Sequence, residues 1–148
     1  MKGRLRLAGI LAAVALLAGC VAPRVSHAPS PAATISQGAL SARQAAGDAT
    51  LVVLDVRTPE EYAAGHVPGA VNIPHDQVEA RLAELAAARD RDVIVYCRSG
   101  KRAALALEVL KQSGFARLGH LEGDMQAWSE SGRPVEKAGE RLSQPAML

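Results

Sequence analysis

Residues 93–115, VIVYCRSGKRAALALEVLKQSGF, decide the fold of this chain. The stretch opens with a continuous apolar run, which is typical of a strand buried on both faces. It continues from Arg102 to Gln112 as a helical segment that Ser113 and Gly114 close. The stretch therefore predicts a strand, a short loop and a helix, with Cys97 at the carboxyl end of the strand.

The same order of elements extends to both sides of this stretch. The apolar run Leu51 to Val56 predicts a second buried strand, and shorter strands are predicted at Val71 to Ile73 and Ala116 to Leu121. Further helices are predicted at Gln37 to Ala46 and at Gln77 to Ala88. This alternation predicts an α/β fold with a central parallel sheet and helices on both faces. Sites in such sheets form at the carboxyl ends of the strands.

The first buried strand is followed by a turn with its own polar residues. Asp55 and Arg57 are predicted to hold this neighbouring loop, with Glu61 as a further partner. Thr58 and Glu61 have the spacing of a capping box, and Pro59 stands at the first helical position. The turn therefore has the sequence signals of a helix start.

Cys97 lies where electrostatics favour the thiolate form. Backbone N–H groups of the loop and of the first helical turn carry partial positive charge. The bases Arg98, Lys101 and Arg102 add to it, while Ser99 and Gly100 are small enough to let the loop curl around a sulfur or a small anion. A thiolate in such a setting is a nucleophile, so Cys97 is the candidate catalytic residue.

Three segments in the same order resemble a single-domain rhodanese. They are LDVRTPEEYAAGHVPGAVNIP (54–74), VIVYCRSGKRAALALEVLKQSGF (93–115) and LEGDMQAW (121–128). The resemblance extends over residues 35–137 and implies an α/β domain whose six-residue active loop, residues 97–102, carries a persulfide on Cys97. One departure is Asp124, where the family usually has glycine, which bears on the conformation or charge of the adjacent loop.

The resemblance implies a sulfurtransferase of the thiosulfate:cyanide type. The Cys97 thiolate takes the outer sulfur of a small anionic donor and passes it to a thiol or cyanide acceptor. Arg98, Ser99, Gly100, Lys101 and Arg102 are the predicted substrate-binding residues, with Asp55 and Arg57 in support. No cofactor is expected, and no metal site, because His75 and His120 lack a partner at ligand spacing.

Two other readings of the loop remain. Cysteine phosphatases and arsenate reductases place an arginine six residues after the cysteine, but here Ala103 stands there and Arg102 comes one residue early. That spacing suits a persulfide better than a tetrahedral oxyanion. The alternative within the family is a sulfur-carrier or redox-partner module, in which Cys97 accepts sulfur from one specific protein.

The first 34 residues predict export and lipid anchoring. Three bases precede the eleven-residue apolar run Leu7 to Leu17, which is too short for a permanent membrane span of about 20 residues. The run ends in Leu17-Ala18-Gly19-Cys20, which resembles the lipobox of bacterial lipoproteins and implies cleavage before an acylated Cys20. Residues 1–19 are then a signal peptide, and residues 20–34 are the lipidated cysteine with a proline-rich linker.

The remaining assignments concern location and charge. The domain is predicted at residues 35–137 with a flexible tail at 138–148, anchored in the bacterial cell envelope and facing the extracytoplasmic side. The chain has 148 residues with 17 bases and 15 acids, and three of the bases belong to the signal peptide. The mature net charge is thus about −1, which argues against nucleic acid as a partner.

Overall fold

The computed structural model describes residues 32–139, which form a five-stranded sheet with helices packed on it. The strands in chain order are β1 (Ala33–Ile35), β2 (Leu51–Asp55), β3 (Val71–Asn72), β4 (Asp92–Tyr96) and β5 (Arg117–Leu121). The α-helices are α1 (Gln37–Ala45), α2 (Pro59–Ala64), α3 (Lys101–Gln112) and α4 (Asp124–Glu130). The sheet order is β1-β5-β4-β2-β3, and every neighbouring pair is parallel.

Both faces of the sheet are covered. Val93 and Val95 of β4 lie in one apolar cluster with Leu110 of α3, whereas Ile94 lies in a second cluster with Trp128 of α4. Successive strand residues point to opposite faces, so the continuous apolar run of β4 is buried on both sides. The predicted parallel α/β sheet with helices on both faces is confirmed.

The helical segment predicted from Gln77 to Ala88 is shorter than expected. It begins with turns after Pro74, and only Leu82–Ala88 is helical, as a 3₁₀ helix. Three of its side chains pack into the apolar cluster that contains Leu110 of α3, and they are spaced three residues apart: Leu82, Leu85 and Ala88. A 3₁₀ helix has three residues per turn, so this spacing aligns the three side chains on one face.

The first strand begins two residues before the predicted domain start, within the segment assigned to the linker. Ala33–Ile35 pairs with Gly119–Leu121 of β5, and this tertiary pairing defines a strand too short to leave a sequence pattern. The predicted signal peptide, Cys20 and most of the tail lie outside the described residues. Within residues 32–139, no helix is both long and apolar enough to cross a membrane.

Candidate active site

Cys97 follows the last residue of β4, at the carboxyl edge of the sheet, and the loop that it opens leads into α3, which begins at Lys101. The residue is buried, with 2% of its surface exposed. Its sulfur accepts the Gly100 N–H at 3.1 Å, which closes the loop on Sγ. Gly100 has φ +98°, a left-handed conformation that glycine adopts without strain. The loop therefore turns around the sulfur as its small residues predict.

The loop leaves several further amides available. Among the described residues, no acceptor pairs with the N–H groups of Arg98, Ser99, Lys101 and Arg102. Free N–H groups are expected at a helix N-terminus, where the intrahelical partners are missing. Together with the Gly100 N–H they provide donors for negative charge on or beyond Sγ.

The three bases of the loop have different surroundings. Arg98 and Lys101 are exposed, whereas Arg102 is half-buried and binds both carboxylate oxygens of Glu61 at 2.7 and 3.0 Å. The bond from Arg102 lowers the pKa of Glu61 to about 2. Glu61 in turn raises the pKa of Arg102, and negative charge at Cys97 adds to that shift. Glu61 is thus the counter-ion of Arg102, at the edge of the loop.

The capping box places Glu61 for this contact. Thr58 accepts the Glu61 N–H, and the Glu61 carboxylate accepts the Thr58 N–H. The box and Pro59 at the start of α2 are both present, as the sequence predicts. The first turn of α2 therefore carries a carboxylate to the side of the Cys97 loop.

Asp55 and Arg57 form a buried support beside the site. Asp55 is fully buried at 0% exposure, and its carboxylate binds the Arg57 guanidinium at 2.6 to 3.0 Å. Arg57 also donates to the Gly65 carbonyl, and the Tyr96 hydroxyl donates to Asp55 at 2.7 Å. Burial, with the Asp55 charge beside it, raises the pKa of Tyr96 far above its ordinary value, which keeps the hydroxyl protonated. This network joins the ends of β2 and β4.

The N-terminus of α4 packs under the loop, a contact that the sequence did not predict. The N–H of Met125 donates to the Cys97 carbonyl, and the N–H of Gln126 donates to the Arg98 carbonyl. Asp124 accepts the N–H of Cys97 at 2.8 Å. The only signal in the sequence was the departure at Asp124 from the glycine usual in the rhodanese motif.

An open cleft of about 340 Å³ lies beside the loop, next to Arg98. It is lined on one side by Arg57, Glu61 and Arg98, and on the other by residues of α4: Met125, Gln126, Ser129 and Glu130. Arg98 is the residue of the loop that lines this cleft, which carries charges of both signs. In the part of the chain that the structure describes, no three His, Cys, Asp or Glu side chains cluster as metal ligands would.

Comparison with known proteins agrees with this geometry. Residues 36–131 match the family of rhodanese-like domains. The chain belongs to the rhodanese family. A protein named sulfurtransferase from Allochromatium vinosum is 40% identical over 101 residues, which are 68% of this chain and 92% of that protein. The thiosulfate sulfurtransferase PspE of Escherichia coli is 37% identical over 47% of this chain and 67% of its own length.

A solved structure shares the fold of this rhodanese domain. The crystal structure of a rhodanese-related protein from Thermoplasma volcanium superposes with a TM-score of 0.61 at 33% identity, over 70% of this chain and 97% of that one. In this rhodanese domain Gly100 is the residue of the predicted loop whose N–H reaches the Cys97 sulfur, Arg102 pairs with Glu61, and Asp55 and Arg57 form a separate buried pair.

Proposed function

We propose that this rhodanese-family protein is a sulfurtransferase that moves sulfane sulfur from thiosulfate, or a related donor, to a thiophilic acceptor through a persulfide on Cys97. The observation that carries the proposal is the Gly100 N–H on Sγ at 3.1 Å, in a loop with further free amides. Such donors stabilise a thiolate and the terminal sulfur of a persulfide alike. The loop can therefore hold negative charge before and after sulfur is taken up.

The chemistry consists of two displacements on sulfur. The Cys97 thiolate attacks the outer sulfur of thiosulfate, a new S–S bond forms, and the old S–S bond breaks with its electron pair leaving on sulfite. Cyanide, or the thiolate of an acceptor, then attacks the terminal sulfur of the persulfide. The Cys97 thiolate leaves with the second electron pair, so no external oxidant or reductant is consumed.

Thiosulfate is proposed as the donor because of the positive charge at the loop and because of the name of one relative. Arg98 and Lys101 are exposed bases at the loop with no ion-pair partner among the described residues, and an approaching dianion meets them first. The Escherichia coli relative is named a thiosulfate sulfurtransferase. Both observations support a small anionic donor for this chain.

Steady-state formation of thiocyanate from thiosulfate and cyanide tests the proposal. Lys101→Gln is expected to raise KM for thiosulfate by about twofold to threefold at low salt, and the increase should shrink as salt screens the charge. Lys111→Gln, at the far end of the same helix, is the matched control and should leave KM unchanged. Thiocyanate formation by Cys97→Ser at the rate of the unmutated protein would refute the assignment.

A sulfur-carrier role is the second candidate, and the Arg102–Glu61 pair favours it. Glu61 neutralises one of the three loop bases, so the loop attracts a small dianion less strongly than its sequence suggests. A carrier would take sulfur from a protein persulfide docked over the cleft rather than from free thiosulfate. If thiosulfate turnover does not saturate while a persulfidated protein donor loads Cys97 stoichiometrically, the carrier role is correct.

We also propose that Cys20 tethers the domain to a bacterial membrane on the extracytoplasmic side. The support is the order of bases, apolar run and Leu17-Ala18-Gly19-Cys20 in the sequence. Two or three acyl chains, at about 0.8 kcal/mol per buried methylene, hold a protein at a bilayer firmly. Sulfur transfer would then take place at the membrane surface.

A further inference from the structure

Asp124 combines a left-handed backbone conformation with a buried carboxyl group. It is the one residue other than glycine with a positive φ among residues 32–139, at +53°. Its side chain is buried, with 3% of the residue exposed. Left-handed backbone is unfavourable for a residue with a Cβ, although aspartate and asparagine tolerate it better than most. The structure thus accepts local strain to place a carboxylate at this position.

The carboxylate of Asp124 is directed at the nucleophile's own backbone. Its Oδ1 accepts the Cys97 N–H at 2.8 Å. The Nε2 of His120 lies 3.2 Å from Oδ1 and 3.1 Å from Oδ2. Because a carboxylate only accepts hydrogen bonds, Nε2 carries the proton and donates. His120 is partly exposed, so it fixes the buried carboxylate from the solvent side.

The same pair lies against the turn that closes the loop. A Cβ placed on Gly100 would come within 3.3 Å of Asp124 Oδ2 and 3.4 Å of His120 Cε1. Gly100 is also the residue whose N–H contacts the Cys97 sulfur. One carboxylate therefore holds the start of the loop through a hydrogen bond and adjoins the turn that reaches the sulfur.

We infer that Asp124, held by His120, is a positioning residue for Cys97. By accepting the Cys97 N–H it fixes the nucleophile's backbone, and the Gly100 N–H meets Sγ as a result. Because the Cys97 N–H is already bound to Asp124, it is not available to the terminal sulfur of a persulfide. That sulfur would bind the N–H groups of the residues that follow Cys97. This inference rests on the proposed sulfurtransferase function for its kinetic readout only.

Two substitutions at position 124 separate the hydrogen bond from the charge. Asp124→Asn removes the charge but keeps an oxygen that can accept the Cys97 N–H, and Asp124→Gly removes both. Asparagine and glycine both tolerate the positive φ, so neither adds backbone strain. Because both variants lack the carboxylate charge, the loss of charge does not contribute to the difference between them, and that difference reports what the remaining side chain and its acceptor oxygen do.

The expected result is a loss of kcat in the glycine variant only. Relative to Asp124→Asn, Asp124→Gly should lower kcat for thiocyanate formation by about fivefold, as expected for one hydrogen bond, with KM for thiosulfate unchanged. The rate of Cys97 alkylation by iodoacetamide at pH 7 should fall in the same order, measured in a Cys20→Ala background. Glu122→Gln, a substitution of an exposed neighbour, is the control for both rates.

The alkylation rate keeps this test separate from the proposed function. Thermal unfolding first shows that the asparagine and glycine variants are both folded. If they then have equal kcat values and equal alkylation rates, the positioning role of Asp124 is overturned. A large and equal fall in both would assign the effect to charge and would overturn it as well. If the unmutated protein does not react with thiosulfate, the function fails, while the alkylation rates still decide on Asp124.

Discussion

Replacing Gly100 by alanine should damage the active loop far more than an equally strained substitution elsewhere. Gly100 has φ +98°, and a left-handed backbone costs a residue with a Cβ about 1–2 kcal/mol. The new Cβ would also lie 3.3 Å from Asp124 Oδ2 and 3.4 Å from His120 Cε1. Moving the buried Asp124 carboxylate and the half-buried His120 ring adds roughly 1 kcal/mol, as overpacking does. We expect Gly100→Ala to lower the free energy of unfolding by about 2–3 kcal/mol.

Gly132 is the matched control for this substitution. Its φ is +66°, and a Cβ there meets no atom within 4 Å, so Gly132→Ala measures the backbone cost by itself. Urea unfolding of the two variants should therefore give about 1 kcal/mol for Gly132→Ala and at least 1 kcal/mol more for Gly100→Ala. Only Gly100→Ala should also slow the alkylation of Cys97, because it displaces the N–H on Sγ. Equal losses in both variants, with alkylation unchanged, would refute the described packing of the loop.

Three further predictions concern the surroundings of the loop and the N-terminal segment. The bond from Arg102 lowers the pKa of Glu61 to about 2, so Glu61→Gln should lower the free energy of unfolding by about 1 kcal/mol at pH 7 after solvent screening. In urea unfolding, this difference from the unmutated protein should vanish as the pH falls from 4.5 toward 2. Arg57→Leu leaves the fully buried Asp55 carboxyl without its cationic partner, so the free energy of unfolding should fall by about 3–5 kcal/mol. A loss below about 1 kcal/mol would contradict the buried pair. Cys20→Ala should move the protein from the detergent phase to the aqueous phase, whereas unchanged partition and unchanged mature mass would disprove the lipid anchor.

Much of the fold could be predicted from the sequence because burial leaves a local pattern. The continuous apolar runs of β2 and β4 are required by burial on both faces, and the capping box of Thr58 and Glu61 is a local contact within one helical turn. β1 left no such pattern, since it is three residues long and is defined only by its pairing with β5. The sequence could not distinguish the 3₁₀ helix at Leu82–Ala88 from an α-helix, because apolar residues three apart fit both periods over a short segment.

The chemistry of the site was less accessible to sequence reasoning. The proposed nucleophile and the loop that follows it are contiguous, so Cys97 to Arg102 could be chosen from the sequence alone. The contact of Arg102 with Glu61 joins residues 41 positions apart, and the contact of Asp124 with the Cys97 amide joins residues 27 positions apart. Only the packing of α2 and α4 around the loop brings these residues together. The pattern showed that position 124 departs from the family, but not what its carboxylate binds.

The most direct test of the central claim is the mass of the intact protein after reaction with thiosulfate. In a Cys20→Ala background Cys97 is the only cysteine, since the chain has two. Thiosulfate should add about 32 Da to the folded protein, the mass of one sulfur, and cyanide should remove it with release of one equivalent of thiocyanate. An unchanged mass with both thiosulfate and a persulfidated protein donor, or the same gain in a Cys97→Ser variant of that background, would contradict sulfur transfer through Cys97.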